Sequence, residues 1–153
     1  MDHSTIFEMN EFLVSIFNEI LLIEETSLKM SEFSDLSIKE MHTIEAIGLG
    51  GNLSSSEVAK KIAITMGTLS VSIQNLVKKG YVERVSSPSD RRVVLLKLTK
   101  RGKLLYRMMH RKFHLNMVAE TLNGMEPEEA ATLVKGLRNL HRFLDNAKQR
   151  LGE

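Results

Sequence analysis

The chain has 153 residues, 42% of them apolar, which is enough for one domain with a real core. Its apolar runs stop at four residues, as in Ile20–Ile23 and Val93–Leu96, so no bilayer span is expected. The acidic start Met1-Asp2-His3-Ser4 is unlike a secretory signal, and zero Cys excludes disulfides, thiolate metal sites and a cysteine nucleophile while fitting a reducing cytoplasm. The formal charge of +2 conceals a basic middle: residues 53–114 hold fourteen Lys or Arg against only Glu57, Glu83 and Asp90, between an acidic first third and a near-neutral tail. Such a segment points to an anionic partner.

Over residues 5–28, Ile6, Met9, Leu13, Ile16, Ile20 and Ile23 recur at spacings of three and four, a helical seam, with Phe7, Val14, Phe17 and Leu21 beside it. Three helices follow near 37–47, 54–62 and 65–79. Ser37 with Glu40 and Ser54 with Glu57 have capping-box spacing, and Thr65 supplies a third cap. Gly80 ends the last of them. The connection before Thr65 is so short that it predicts a helix-turn-helix corner. Tyr81–Val85 and Arg92–Leu98 read as strands joined by the turn-forming stretch Ser86-Ser87-Pro88-Ser89-Asp90-Arg91. Thr99 caps a long helix expected to reach Leu122, and Pro127 opens a last one with Ala130, Leu133, Leu137, Leu140 and Leu144 along one side. The expected fold is mainly α with a two-stranded β wing: one domain, 1–153, in which a winged helix-turn-helix over 36–99 is flanked by helical dimerisation segments, 1–35 and 100–153.

If Leu69, Ile73, Leu76 and Val77 pack inward, then Gly67, Val71, Gln74 and Lys78 face outward on the 65–79 helix, flanked by Thr65, Thr68, Ser70 and Asn75. Small hydroxyls, amides and a glycine that permits close approach suit a helix that reads base edges in a DNA major groove. Lys60, Lys61, Lys78 and Lys79 lie nearby for phosphates. In the loop, Asp90 is expected to orient one of Arg91 and Arg92 while the other reaches a minor groove.

From Leu36 to Leu105 the chain resembles the MarR family of winged helix-turn-helix repressors. The resemblance is carried by Asp90-Arg91-Arg92, by Leu96-Lys97-Leu98-Thr99 and by Gly102 at the family's wing-to-helix spacing. Within that family, the runs Lys39–Ile44, Met66–Leu69, Lys79–Val85, Asp90–Val94 and His110–His114 are similar to repressors of fatty-acid biosynthesis. The resemblance implies a cytoplasmic homodimer on a palindromic double-stranded operator, with acyl carrier protein bearing a long acyl chain as corepressor. It carries reading roles to Thr68, Ser70, Gln74, Asn75, Arg91 and Arg92, although Val71 stands where many members have Arg. An acyl-chain pocket is expected from Phe12, Ile16, Met41, Met108, Met109 and Phe113, and a carrier-protein contact from Lys103, Arg107, Arg111 and Lys112. The alternative is a zinc-responsive regulator. His110 and His114 have the four-residue spacing of two metal ligands, and His42 and Glu24 lie where zinc-sensing relatives place others. No cofactor is otherwise expected. With no glycine-rich phosphate loop and no Gly-x-Ser-x-Gly elbow, an enzyme is not expected either.

Overall fold

The computed structural model describes residues 2–151, which fall into two compact units, one ending at Lys112 and the other beginning at Phe113. The first unit opens with α1 (His3–Lys29), capped by the Asp2 carboxylate on Ser4 N–H at 3.4 Å. At 1.5 Å per residue α1 is about 40 Å long. Only Glu24 and Leu28, near its end, are buried. Ile6, Phe7, Met9, Leu13, Ile16 and Phe17 are exposed and Ile20 and Leu21 are half-buried, so most of the apolar seam read from the sequence is not covered by the core of this unit.

The next helices begin where local chemistry places them. Ser37 Oγ accepts Glu40 N–H at 3.2 Å and Glu40 Oε2 accepts Ser37 N–H at 2.9 Å, which starts α2 (Ile38–Ile47). Ser54 and Glu57 repeat this reciprocal pair at α3 (Ser55–Lys61). Thr65 Oγ1 accepts Thr68 N–H at 3.2 Å to start α4 (Met66–Lys78). Each cap satisfies donors that a helix end otherwise leaves unpaired. The α3–α4 corner turns on Ala63, whose φ of +55° is left-handed. After α4 the chain reverses at Gly80, φ +79°, with Tyr81 N–H donating to Leu76 O at 2.9 Å.

β2 (Val82–Ser86) and β3 (Val94–Leu98) form the expected antiparallel wing, with Val82 opposite Leu98 and Ser86 opposite Val94. The sheet has one strand more than the sequence predicts. β1 (Leu53–Ser54) pairs Leu53 with Leu96, giving the order β1-β3-β2. Two residues carry no periodicity, so this strand exists through its pairing and not through its own pattern. The core of the unit lies beneath this sheet and α2–α4, with Met41, Ile44, Ile47, Val58, Leu69, Ile73, Leu76, Tyr81, Leu96, Leu98, Leu105 and Met109 all buried.

Thr99 caps α5 (Lys100–Arg107) through Gly102 N–H at 3.3 Å. The expected single α-helix then changes winding: Met108–Leu115 is π-helical, and the division between the units falls within it. Over two turns the side-chain spacings of π and α windings are too similar for a pattern of apolar residues to separate them. The second unit continues with α6 (Asn116–Leu122), a turn at Asn123-Gly124, and α7 (Pro127–Leu151). Glu126 N–H donates to Glu129 at 2.9 Å at the start of α7, and His141 and Lys148 both contact Asp145 at 3.0 Å. No residue of α6 or α7 is buried; Leu137, Phe143 and Leu144 are exposed. Among the described residues, no helix is long and apolar enough to cross a membrane.

Candidate nucleic-acid interface

On a wheel of about 100° per residue, the buried Leu69, Ile73 and Leu76 mark one side of α4. Gly67, Val71, Gln74 and Lys78 lie opposite, with Ser70 at one flank and Thr68 and Asn75 at the other, and all of these and Thr65 are exposed. Val77, expected inside, is exposed, because the core beneath α4 is filled by Leu69, Ile73 and Leu76. Gly67 is not demanded by the fold: a Cβ there would meet nothing closer than Thr65 Oγ1 at 4.0 Å. The space is free for an incoming backbone. Thr65 and Thr68 spend part of their capacity on each other, their hydroxyls lying 2.9 Å apart.

One flank of α4 borders an open cleft of about 940 Å³ whose walls include Lys39, His42, Thr43, Ala46, Ile64 and Ser72. Thr43 and Ser72 bridge it at 3.3 Å, and Lys61 donates to Ala46 O at 2.9 Å. Lys61 and Lys79 are therefore engaged within the protein. Lys79, beside the expected phosphate contact Lys78, bonds both oxygens of Glu40 at 3.0 and 2.8 Å. Burial pushes the Glu40 carboxyl up, but the Lys79 ammonium and the Ser37 N–H outweigh it and hold it below the usual carboxylate value. Part of the acidic first third thus neutralises part of the basic middle.

At the wing tip, Asp90 Oδ1 accepts Arg92 N–H at 2.9 Å, and Val93 N–H donates to Asp90 O at 3.0 Å. Asp90 shapes the loop by holding backbone and not, as expected, by orienting a guanidinium. Arg91 and Arg92 are both exposed and, among the described residues, form no ion pair. Two unengaged guanidiniums on a fixed turn suit a groove lined by phosphates.

The other expected sites are dispersed. Met41 and Met109 are closed into the core, Met108 is half-buried, and Phe12 and Ile16 lie on the exposed part of α1; Phe113 belongs to the second unit. None of the five in the first unit lines the cleft described above. Glu24, buried, contacts His42 Nε2 at 3.0 Å. His110 stacks on Tyr106 with ring centroids 5.4 Å apart, and His114 packs against Phe113 at 5.3 Å. Among the described residues no three His, Asp or Glu side chains converge as a metal-binding group. Arg107, Arg111 and Lys112 are exposed and Lys103 half-buried.

Helix, corner, reading helix and basic wing together define a winged helix-turn-helix transcriptional regulator. Comparison with known proteins agrees: the MarR family pattern matches residues 34–93. The uncharacterized HTH-type transcriptional regulator YfiV of Bacillus subtilis is 32% identical over 115 residues, 75% of this chain and 71% of that protein. The multiple antibiotic resistance protein MarR of Escherichia coli is 28% identical over 99 residues, 65% of this chain and 69% of that one. Among solved structures, Streptococcus pneumoniae FabT in complex with DNA is 50% identical, with a TM-score of 0.82 over 92% of this chain and 97% of that one. The chain belongs to the MarR family.

Proposed function

We propose that this regulator is a sequence-specific DNA-binding repressor acting as a homodimer. Each copy lays α4 in the major groove of one half-site of a palindromic operator and extends Arg91 and Arg92 toward the adjacent minor groove, with half-sites about 34 Å apart. The observation that carries this reading is the exposed polar face of α4, opposite a packed one, beside a wing whose two exposed arginines form no ion pair among the described residues. The solved FabT–DNA complex, at 50% identity, supports it. A second copy is the natural cover for α1, since a helix with an exposed apolar stripe needs a packing surface to stay folded in water.

The finer reading rests on the resemblance to fatty-acid-biosynthesis repressors. The operator lies before fatty-acid biosynthesis genes, and long-chain acyl carrier protein is the corepressor. Lys103, Arg107, Arg111 and Lys112 offer cations to the acidic carrier. Fluorescence anisotropy on a fatty-acid operon promoter, with and without long-chain acyl carrier protein, tests it. Tighter binding with the acylated carrier is expected; an unchanged affinity removes the corepressor reading and leaves the DNA reading standing.

A further inference from the structure

The C-terminal end of α4 is held by a polar clamp built from four parts of the chain. Lys79, directly after the helix, spends its three donors on Asp35 O at 2.6 Å and on the two oxygens of Glu40. Tyr81 OH donates to Asp35 Oδ1 at 2.6 Å. Arg101, at the start of α5, donates to that same oxygen at 3.2 Å and to Lys79 O at 3.1 Å, and its guanidinium lies over the Tyr81 ring at 4.4 Å. Thr99 Oγ1 donates to Gly80 O at 2.6 Å. The segment before α2, α2 itself, the α4–β2 turn and α5 thus meet at one point.

We propose that Asp35, Lys79, Tyr81 and Arg101 are positioning residues for base reading, an inference that rests on the DNA function proposed above. With 13 residues α4 is about 20 Å long. Its N-terminal end is fixed by the short corner, so the clamp sets the direction in which it leaves. A functional group must be held within about 0.5 Å of its working position, and over that length 0.5 Å corresponds to a tilt of about 1.5°. Gln74, Asn75 and Lys78, on the half nearest the clamp, feel such a tilt most. The Arg101–Asp35 pair is nearly half exposed on both sides, at 45% and 41%, and pairs of that kind contribute little to folding. Its geometry serves direction more than stability. Lys cannot replace Arg101, because the fork reaches two acceptors while its plane stacks on a ring.

The test uses the full-length protein, an operator that the wild type selects from randomised duplexes, and a random duplex of equal length. Arg101→Gln and Tyr81→Phe are compared with wild type for affinity to both duplexes, salt dependence and Tm. Tyr81→Phe keeps the buried ring and removes only the hydroxyl, so it carries the test if Arg101→Gln folds poorly. The expected result is a loss of roughly tenfold or more on the selected operator with the random-duplex affinity kept, which amounts to a fall in discrimination. The slope of log affinity against log salt stays unchanged. Equal loss on both duplexes with the slope reduced by about 0.9 would make Arg101 a phosphate contact and overturn the proposal. Unaltered discrimination overturns it as well. A wild type that selects no operator removes the DNA reading itself and this proposal with it, an outcome distinct from the other two.

Discussion

Replacing Gly102 with Ala places a methyl group where α5 passes closest to the start of the wing. A Cβ on Gly102 would lie 2.3 Å from Tyr81 O and 3.3 Å from Leu98 Cβ. That carbonyl is backbone, pinned by Thr99 N–H at 3.0 Å, so no side chain can swing aside. Relief to a contact of 3.0–3.4 Å requires α5 to move by about 0.7–1.1 Å, the difference from the 2.3 Å approach. Forced overpacking of this kind costs about 1–3 kcal/mol, and weakening the Thr99–Tyr81 bond adds about 1 kcal/mol. Alanine's helix preference over glycine returns about 1 kcal/mol. The net expectation is a destabilisation of about 1–3 kcal/mol, read as a lower urea midpoint by circular dichroism at fixed protein concentration. Equal or greater stability of Gly102→Ala would show that α5 does not press on Tyr81 O, and the close approach would be refuted. Because Arg101 is the neighbouring residue, the same variant is expected to lose operator discrimination.

At Gly67, where the space is open, Ala gives the opposite pattern: stability unchanged or raised by up to about 1 kcal/mol, with weaker operator binding by anisotropy; undiminished binding would mean that no backbone approaches there. Glu40 has a folded pKa below its unfolded one, so its contribution is present above about pH 4.5 and is lost as pH falls through the lower folded value. Glu40→Gln is therefore expected to flatten the acid limb of a stability–pH curve measured by urea unfolding, and a curve of unchanged shape contradicts the Lys79–Glu40 assignment. Ile16→Glu on the exposed stripe of α1 removes about 2 kcal/mol of apolar burial twice per symmetric dimer, roughly a thousandfold in dissociation constant. Analytical ultracentrifugation checks it, and a dimer of undiminished strength places the interface elsewhere.

The helix starts were legible because capping is local: Ser37 with Glu40, Ser54 with Glu57, Thr65 and Thr99 each act within three residues. The exposed polar face of α4 was legible from its period, apart from Val77, whose position at the edge of the apolar arc leaves it outside a core already filled. What stayed hidden depends on partners far along the chain. Lys79 finds Glu40 across 39 positions and Arg101 finds Asp35 across 66, and no periodicity announces such pairs. The charge pattern assigned Lys79 to phosphates, whereas folding commits it to a carboxylate. At the wing the role of Asp90 differs from the expected one, since its carboxylate accepts the Arg92 backbone N–H and so fixes the turn. Of the residues expected at an acyl pocket, Met41 and Met109 are buried in the core of the first unit while Phe12 and Ile16 are exposed on α1, because a family-level assignment of helices does not say which side of each helix faces inward.

The central claim, that α4 and the wing read a specific DNA sequence, is tested most directly by equilibrium anisotropy of wild type and an Arg91→Ala/Arg92→Ala double variant. Both would be titrated on a selected operator and a shuffled duplex across a salt series. Wild type is predicted to favour the operator by roughly a thousandfold or more, with affinity falling steeply as salt rises. The double variant is predicted to bind more weakly with a shallower slope. Equal affinity for the two duplexes, or a double variant indistinguishable from wild type, would contradict it.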